Sequence, residues 1–287
     1  MDDKVYGKVF LTITEFSKLV GLPVSTLQYY DKTGVFHPVK RGAEGNRGYR
    51  YYSPTQITTI KMIQVLTEIG VPLEEIRDLA ENRTPEVMLK LFRKYKGIVT
   101  QRVRFFLESD SVIDTYSELI HFGISATETE FAVFDIPARQ ILLGAVSDYS
   151  NTTGFMREFI RFCYAAYDTR LNISYPIGGY WENMAAFLER PSLPPRFFSL
   201  DPKGLVCKGA GLYLVGYTRG YYGQVSDLPA RMDAFAKEHG LVFSGPVYNQ
   251  YLLDEISMTD PGQYLLQVSA AVKETRRTLP PRPHFPY

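Results

Sequence analysis

Apolar positions recur at helical spacing from the start of the chain. Ile13, Phe16, Leu19 and Val20 fall on one helical face. They follow Thr12-Ile13-Thr14-Glu15, a capping box in which the Thr12 hydroxyl caps the N3 amide and Glu15 reaches back to the cap residue. Gly21 stops this helix, Pro23 permits a second running through Leu27 and Tyr30 to Lys32, and Gly34 breaks it. Two short helices about a tight glycine turn predict a helix-turn-helix. From Val35 to Tyr52 the pattern alternates loosely, with Gly42, Gly45 and Gly48 at turn positions, which predicts a β-hairpin wing.

Ser53-Pro54-Thr55-Gln56 reads as another capping box with proline at N1, ahead of a helix carrying Ile57, Ile60, Ile63 and Leu66 and closed by Gly70. Pro72 opens a short helix through Ile76 and Leu79, and Thr84-Pro85 caps a long one. Along the long helix Met88, Leu91, Tyr95, Ile98, Arg102, Phe105, Ser109, Val112, Tyr116 and Leu119 step by three and four alternately, a heptad seam. Two readings stand. Leu91, Tyr95, Ile98, Phe105, Val112, Tyr116 and Leu119 pair with a second chain as a coiled coil, with Arg102 and Ser109 fixing register, or the helix is an amphipathic one within its own chain.

Beyond residue 128 the chain turns to short strand-like stretches rich in Tyr and Phe, with a weak internal repeat. Phe131 to Val146 reads as a strand pair around Pro137, Phe155 to Tyr167 as a helix, and Ile173 to Tyr180 as a strand. The order recurs as strand Leu212 to Tyr217, helix Leu228 to Glu238, strand Leu241 to Tyr251 through Gly245-Pro246, and strand Tyr264 to Val272. The fold class is α+β, with a duplicated β-α-β domain and a cleft between its halves. The domains expected are 1–82 (winged helix-turn-helix), 83–122 (long dimerisation helix), 123–275 (sensing domain) and 276–287 (irregular proline-rich tail).

Composition changes this picture little. At 45% hydrophobic and 22% charged, with no apolar run near the roughly 18 residues of a membrane span, a soluble protein is expected. The segment MDDKVYGKVF has no apolar h-region, so no secretory signal is read and a cytoplasmic location follows. Cys163 and Cys207 lie in no CxxC or Cys/His cluster, so neither a metal nor another cofactor is expected. The net charge of +1 is uneven: residues 32–50 hold Lys32, Lys40, Arg41, Arg47 and Arg50 against Glu44 alone. Such a segment fits phosphates or is a solvated loop. The eleven tyrosines and tryptophan from Tyr149 to Tyr251, among them Tyr149, Tyr180, Trp181, Tyr217, Tyr248 and Tyr251, suit planar or cationic guests, or form the core.

TLQYYDKTGVFHP, then NRGYRYYS, then EIGVPLEEI occur in an order and spacing that resemble the MerR family of bacterial transcription activators. Residues 128–273, through the duplicated layout and GPVYNQYLLDEIS, resemble the GyrI-like effector domain of multidrug-sensing members. The resemblance implies a homodimer on double-stranded promoter DNA that distorts an overlong spacer for RNA polymerase, with an aromatic or amphipathic small molecule as effector. It puts Ser25, Thr26, Gln28, Tyr29 and Tyr30 of the second helix in the major groove, and Lys40, Arg41, Arg47, Tyr49 and Arg50 of the wing near phosphates. Gln28 stands where members commonly carry Arg. In drug-binding relatives a glutamate follows the tyrosine of a VYE motif; here it is Asn249, and Glu182 beside Trp181 is the candidate substitute acid. The expectation is a regulator and not an enzyme. The alternatives are a hydrolase of a reactive small molecule, with Glu182 and a tyrosine as base and orienter, and a passive drug-binding protein.

Overall fold

The computed structural model describes residues 9–42, 49–128, 130–147, 149, 151–166 and 174–274. Two compact units divide the chain, 1–104 and 105–287.

In the first unit, strand β1 (Leu11–Thr12) runs into α1 (Ile13–Val20), and α2 (Val24–Thr33) follows the turn. The Thr12 box forms as expected: the Glu15 amide donates to Thr12 Oγ1 (3.3 Å) and the Thr12 amide to Glu15 Oε2 (2.9 Å). Gly21 closes α1 at φ 71°, in the left-handed region that costs a side chain energy. The wing strands β2 (Lys40–Arg41) and β3 (Arg50–Tyr52) pair antiparallel, with β3 central between β1 and β2. Arg47 and the rest of the wing tip lie outside the described residues. Phe16 joins the wing to α1 by stacking on Tyr52 (4.5 Å between ring centroids), and Phe36 completes a three-ring cluster, 5.7 Å from Tyr52 and 6.1 Å from Phe16. Then come α3 (Gln56–Glu68) and α4 (Leu73–Glu81). The Ser53 box forms only by half. Gln56 Oε1 accepts from the Ser53 amide (3.0 Å), yet α3 begins at Gln56, and Pro54 and Thr55 form a preceding turn.

Helix α5 (Pro85–Ser125) is 41 residues long, opened by Thr84 Oγ1 accepting from the Val87 amide (3.3 Å). The heptad seam is covered by its own chain towards its two ends, while Phe105 at its middle is exposed. Leu91 and Tyr95 are buried in the core of the first unit with Ile98 packed against it, and Leu119 is buried in a core of the second. Arg102 Nη1 donates to the Ile69 carbonyl (3.0 Å) at the end of α3, and Ser109 Oγ to the Phe105 carbonyl (2.8 Å), so both polar seam residues are engaged within the chain. Leu89, Phe92, Val103, Phe106 and Ile113 are exposed instead, on the stripe displaced by one residue, roughly 100° round the helix.

The second unit is an eight-stranded sheet in the order β4-β9-β11-β10-β6-β7-β5-β8. Its elements are β4 (Ala132–Ile136), β5 (Arg139–Leu143), α6 (Thr152–Ala166), β6 (Ile177–Trp181), α7 (Met184–Glu189), β7 (Arg196–Ser199), β8 (Val206–Lys208), β9 (Gly211–Arg219), α8 (Leu228–Glu238), β10 (Leu241–Leu253) and β11 (Leu265–Glu274). The repeated strands and helices match the expected layout, and α7, β7 and β8 are additions to it. A bulge between Phe243 and Val247 lets β10 run on through Gly245-Pro246. One core, with Trp181, Val247, Leu266 and Val268, packs beneath α7 and α8; the other, with Leu119, Tyr213, Tyr217 and Tyr248, fills the opposite face.

Phe16→Ala is expected to lower the stability of the first unit by about 3 kcal/mol, and Thr12→Ala by about 1 kcal/mol, both read from urea denaturation.

Candidate functional site

Helix α2 presents Ser25, Gln28 and Tyr29 to solvent, Tyr29 at 52% exposure, with Thr26 half-buried. Tyr30 is only 7% exposed and belongs to the core, so of the two adjacent tyrosines Tyr29 alone is presented. On the wing, Lys40, Arg41 and Tyr49 are exposed and Arg50 is half-buried.

Arg41 and Arg50 are directly opposed across the β2–β3 ladder, a repulsive pairing for two cations. Asp31, near the end of α2, resolves it. Its side chain is almost wholly covered, and its carboxylate accepts from Arg41 Nη2 (2.6 Å) and Arg50 Nε (2.6 Å) while meeting His37 Nδ1 at 2.9 Å. Burial alone would push the Asp31 carboxyl up. The bonds to His37, Arg50 and Arg41 outweigh it and hold the group below its ordinary 3.8. The recognition-type helix and the wing are thereby tied through one buried charge. Of the three arginines expected at phosphates, Arg41 and Arg50 are anchored here, with Arg41 still half open to solvent. Sequence reasoning missed Asp31 because it stands just ahead of the basic run.

In the second unit a cavity of about 170 Å³ is walled by Tyr116, Phe155, Phe159, Phe197, Tyr222 and Tyr251, with Asp254 and Glu255 at its edge. Tyr222 meets Tyr251 edge-on at 4.6 Å and donates its hydroxyl to Glu255 Oε2. Burial, with the neighbouring Glu255 charge, holds the Asp254 carboxyl above its usual value.

Of the expected ligand residues only Asn249 and Tyr251 line this cavity, and Tyr116, expected at a dimer seam, joins them. Asn249 is largely committed: its Oδ1 accepts from the Gly179 amide (2.6 Å). A Cβ at Gly178 would sit 2.1 Å from the Asn249 carbonyl oxygen, so glycine permits this close strand pairing. Trp181 is fully buried against Phe187 (4.8 Å), away from the cavity. Tyr149 is buried, donating its hydroxyl to the Pro194 carbonyl, and Tyr217 is buried near Phe122. Tyr180 and Tyr248 meet edge-on at 5.4 Å. Glu182 is exposed in the turn after β6, so the general base of the hydrolase alternative does not reach the cavity. Asp254 and Glu255 are acids that the sequence does not single out, because a DE pair following a strand carries no local mark of a cavity edge.

Among the described residues no cluster of three or more His, Cys, Asp or Glu could hold a metal ion. Nor is any helix among them long and apolar enough to cross a membrane.

A short glycine turn between two helices, a paired wing and an exposed second helix define a winged helix-turn-helix. Residues 11–83 match the MerR HTH family regulatory protein model. The chain therefore carries a MerR-type helix-turn-helix at residues 11–83. It is similar to the multidrug-efflux transporter 2 regulator of Bacillus subtilis (strain 168), 26% identical over 288 residues, spanning 93% of this chain and 98% of that one. The multidrug-efflux transporter 1 regulator of the same organism is 28% identical over 104 residues, 36% of each chain. Among solved structures, the cryo-EM structure of an EcmrR–DNA complex in EcmrR-RPo aligns over 92% of this chain and 100% of that one, at 15% identity and a TM-score of 0.38.

Asp31→Asn is expected to destabilise the first unit by about 2 to 3 kcal/mol, since two guanidinium groups lose their buried counter-charge. Because the folded Asp31 pKa is depressed, its contribution is fully present above about pH 4 and drains away as pH falls through the folded value. Urea denaturation of the first unit at pH 6 and pH 3 should show this loss in the native sequence and not in the Asn variant.

Proposed function

We propose that the chain is a ligand-responsive activator that binds promoter DNA as a homodimer. The observation that carries this reading is the pairing of an exposed α2 face, Ser25, Gln28 and Tyr29, with a cationic wing held to the same helix by Asp31. Gln28 has the donor and acceptor to pair with an adenine edge, while Ser25, Lys40 and the free part of Arg41 suit phosphates. In this reading Tyr49, Arg50 and Arg47 complete the wing contacts, and Thr26 joins Ser25, Gln28 and Tyr29 on α2. Following the family's mode of action, the dimer untwists an overlong spacer so that RNA polymerase engages both promoter boxes.

The dimer surface in this reading is the exposed stripe of α5, Leu89, Phe92, Val103, Phe106 and Ile113, and not the seam that covers the chain's own cores. Exposed apolar residues recurring on one stripe of a long helix, interrupted by Lys96 and Asp110, favour burial against a second copy. The effector site is the cavity walled by Tyr116, Phe155, Phe159, Tyr222 and Tyr251. Its faces suit a flat aromatic guest, and Asp254 and Glu255 favour a positive charge on it. Occupancy biases the dimer toward the DNA-distorting state by population shift.

The purified protein should footprint an inverted repeat upstream of its own or a neighbouring gene. Tyr29→Ala should weaken that binding by about tenfold, or about 1.4 kcal/mol, with little change on unrelated DNA. Absence of any sequence preference at moderate salt would end this reading. Separately, Phe106→Glu should shift the protein from dimer to monomer in sedimentation velocity, whereas Tyr116→Phe should leave the dimer intact.

A further inference from the structure

A second cavity in the C-terminal unit lies against the other face of β10, where Tyr248 and Gln250 alternate with the Asn249 and Tyr251 of the aromatic cavity. It has a volume of about 280 Å³, and a buried amine lines it. Lys208, the last residue of β8, is only 8% exposed. Its Nζ makes one hydrogen bond, to Ser269 Oγ at 3.4 Å, and sits 4.5 Å and 5.1 Å from the ring centroids of Tyr248 and Tyr213. An ammonium carries three donors, so two are unused. No carboxylate lies within ion-pair distance of it among the described residues; its partner across the strand pair is another cation, Arg139. Burial, and then the Arg139 charge, bring the amine down to about 8.

Gln267 lines the same cavity at 2% exposure. Its Oε1 accepts from Gln250 Nε2 (3.3 Å), and its Nε2 faces the Tyr217 phenol without closing an aligned hydrogen bond. Lys208 thus keeps donor capacity beyond its one long bond and Gln267 Nε2 closes none, so two buried donor groups on one cavity can take an acceptor-bearing guest. Glu118 and Arg139, both on the lining, sum to no formal charge, and Lys208 is the buried cation among the lining residues. One buried cation balances one negative charge and would leave a dianion half-compensated. Ile136, Pro137 and Leu200 supply an apolar wall.

We propose that this cavity is a binding site for a small monocarboxylate with a compact apolar body, its carboxylate received by Lys208 and the Gln267 amide and its body by Ile136, Pro137 and Leu200. The site is separate from the aromatic cavity and opposite to it in charge. It does not depend on the DNA-binding reading.

The test uses the full chain and titration calorimetry with benzoate, benzamide and benzylamine, which share a ring and differ in charge. Benzoate should bind at least about tenfold more tightly than benzamide, while benzylamine, a guest suited to the aromatic cavity, should bind independently of Lys208. Lys208→Met removes the charge at similar volume, and should abolish the benzoate preference while leaving the thermal transition as high as before or higher. Gln267→Leu should reduce benzoate affinity several-fold. Should Lys208→Met fold poorly, Lys208→Gln takes its place. Benzoate binding no tighter than benzamide overturns the proposal, and so does unchanged benzoate affinity in a folded Lys208 variant. No DNA enters the experiment, so either result leaves the reading of α2 and the wing untouched.

Discussion

One buried carboxylate organises the DNA-reading end of this molecule. The wing is a hairpin of very short strands, and a two-stranded hairpin is marginal by itself. It also sets Arg41 opposite Arg50. Asp31 turns that repulsion into an anchor by accepting from both guanidinium groups, and it does so from the end of α2, the helix that presents Ser25, Gln28 and Tyr29. The Phe16, Tyr52 and Phe36 stack completes the attachment from the α1 side. Helix and wing are therefore tied through one carboxylate, and the wing charge left open to solvent is mainly Lys40 and the open part of Arg41.

The C-terminal unit is organised by the period of a single strand. Along β10 the side chains alternate between two faces, and the two faces carry opposite chemistry. Asn249 and Tyr251 belong to an aromatic cavity edged by Asp254 and Glu255; Tyr248 and Gln250 stand over Lys208. The neutral residue at 249 follows from its surroundings. Its carboxamide oxygen holds the Gly179 amide, at a place where β6 approaches so closely that only glycine fits. An acid for the aromatic cavity is supplied from the turn after β10 instead.

Much of the fold was legible because it is local. Capping residues at Thr12 and Thr84, the stops at Gly21 and Gly34, and the strand and helix periods of the duplicated domain each act within a few residues. The elements not foreseen, α7, β7 and β8, are three to six residues long, too short to show a period. The site was less legible, because heptad spacing on α5 identifies a stripe without saying what covers it. Leu91, Tyr95 and Leu119 turned out to serve the chain's own cores, and the exposed stripe runs one residue further on. Aromatic identity likewise could not separate Tyr251, which walls a cavity, from Trp181, which packs beneath the sheet. Asp31 and Lys208 escaped notice for a common reason: a lone charged residue reads as surface until its neighbours in space are known.

The most direct test of the Asp31 anchor is a comparison of Asp31→Asn with the native protein on a specific operator duplex and on unrelated DNA at the same salt concentration. If Asp31 aims the wing, the variant keeps or gains charge-driven affinity for unrelated DNA, having lost a negative charge, and loses most of its preference for the operator. A variant that folds and discriminates the operator as well as the native protein does would contradict the account.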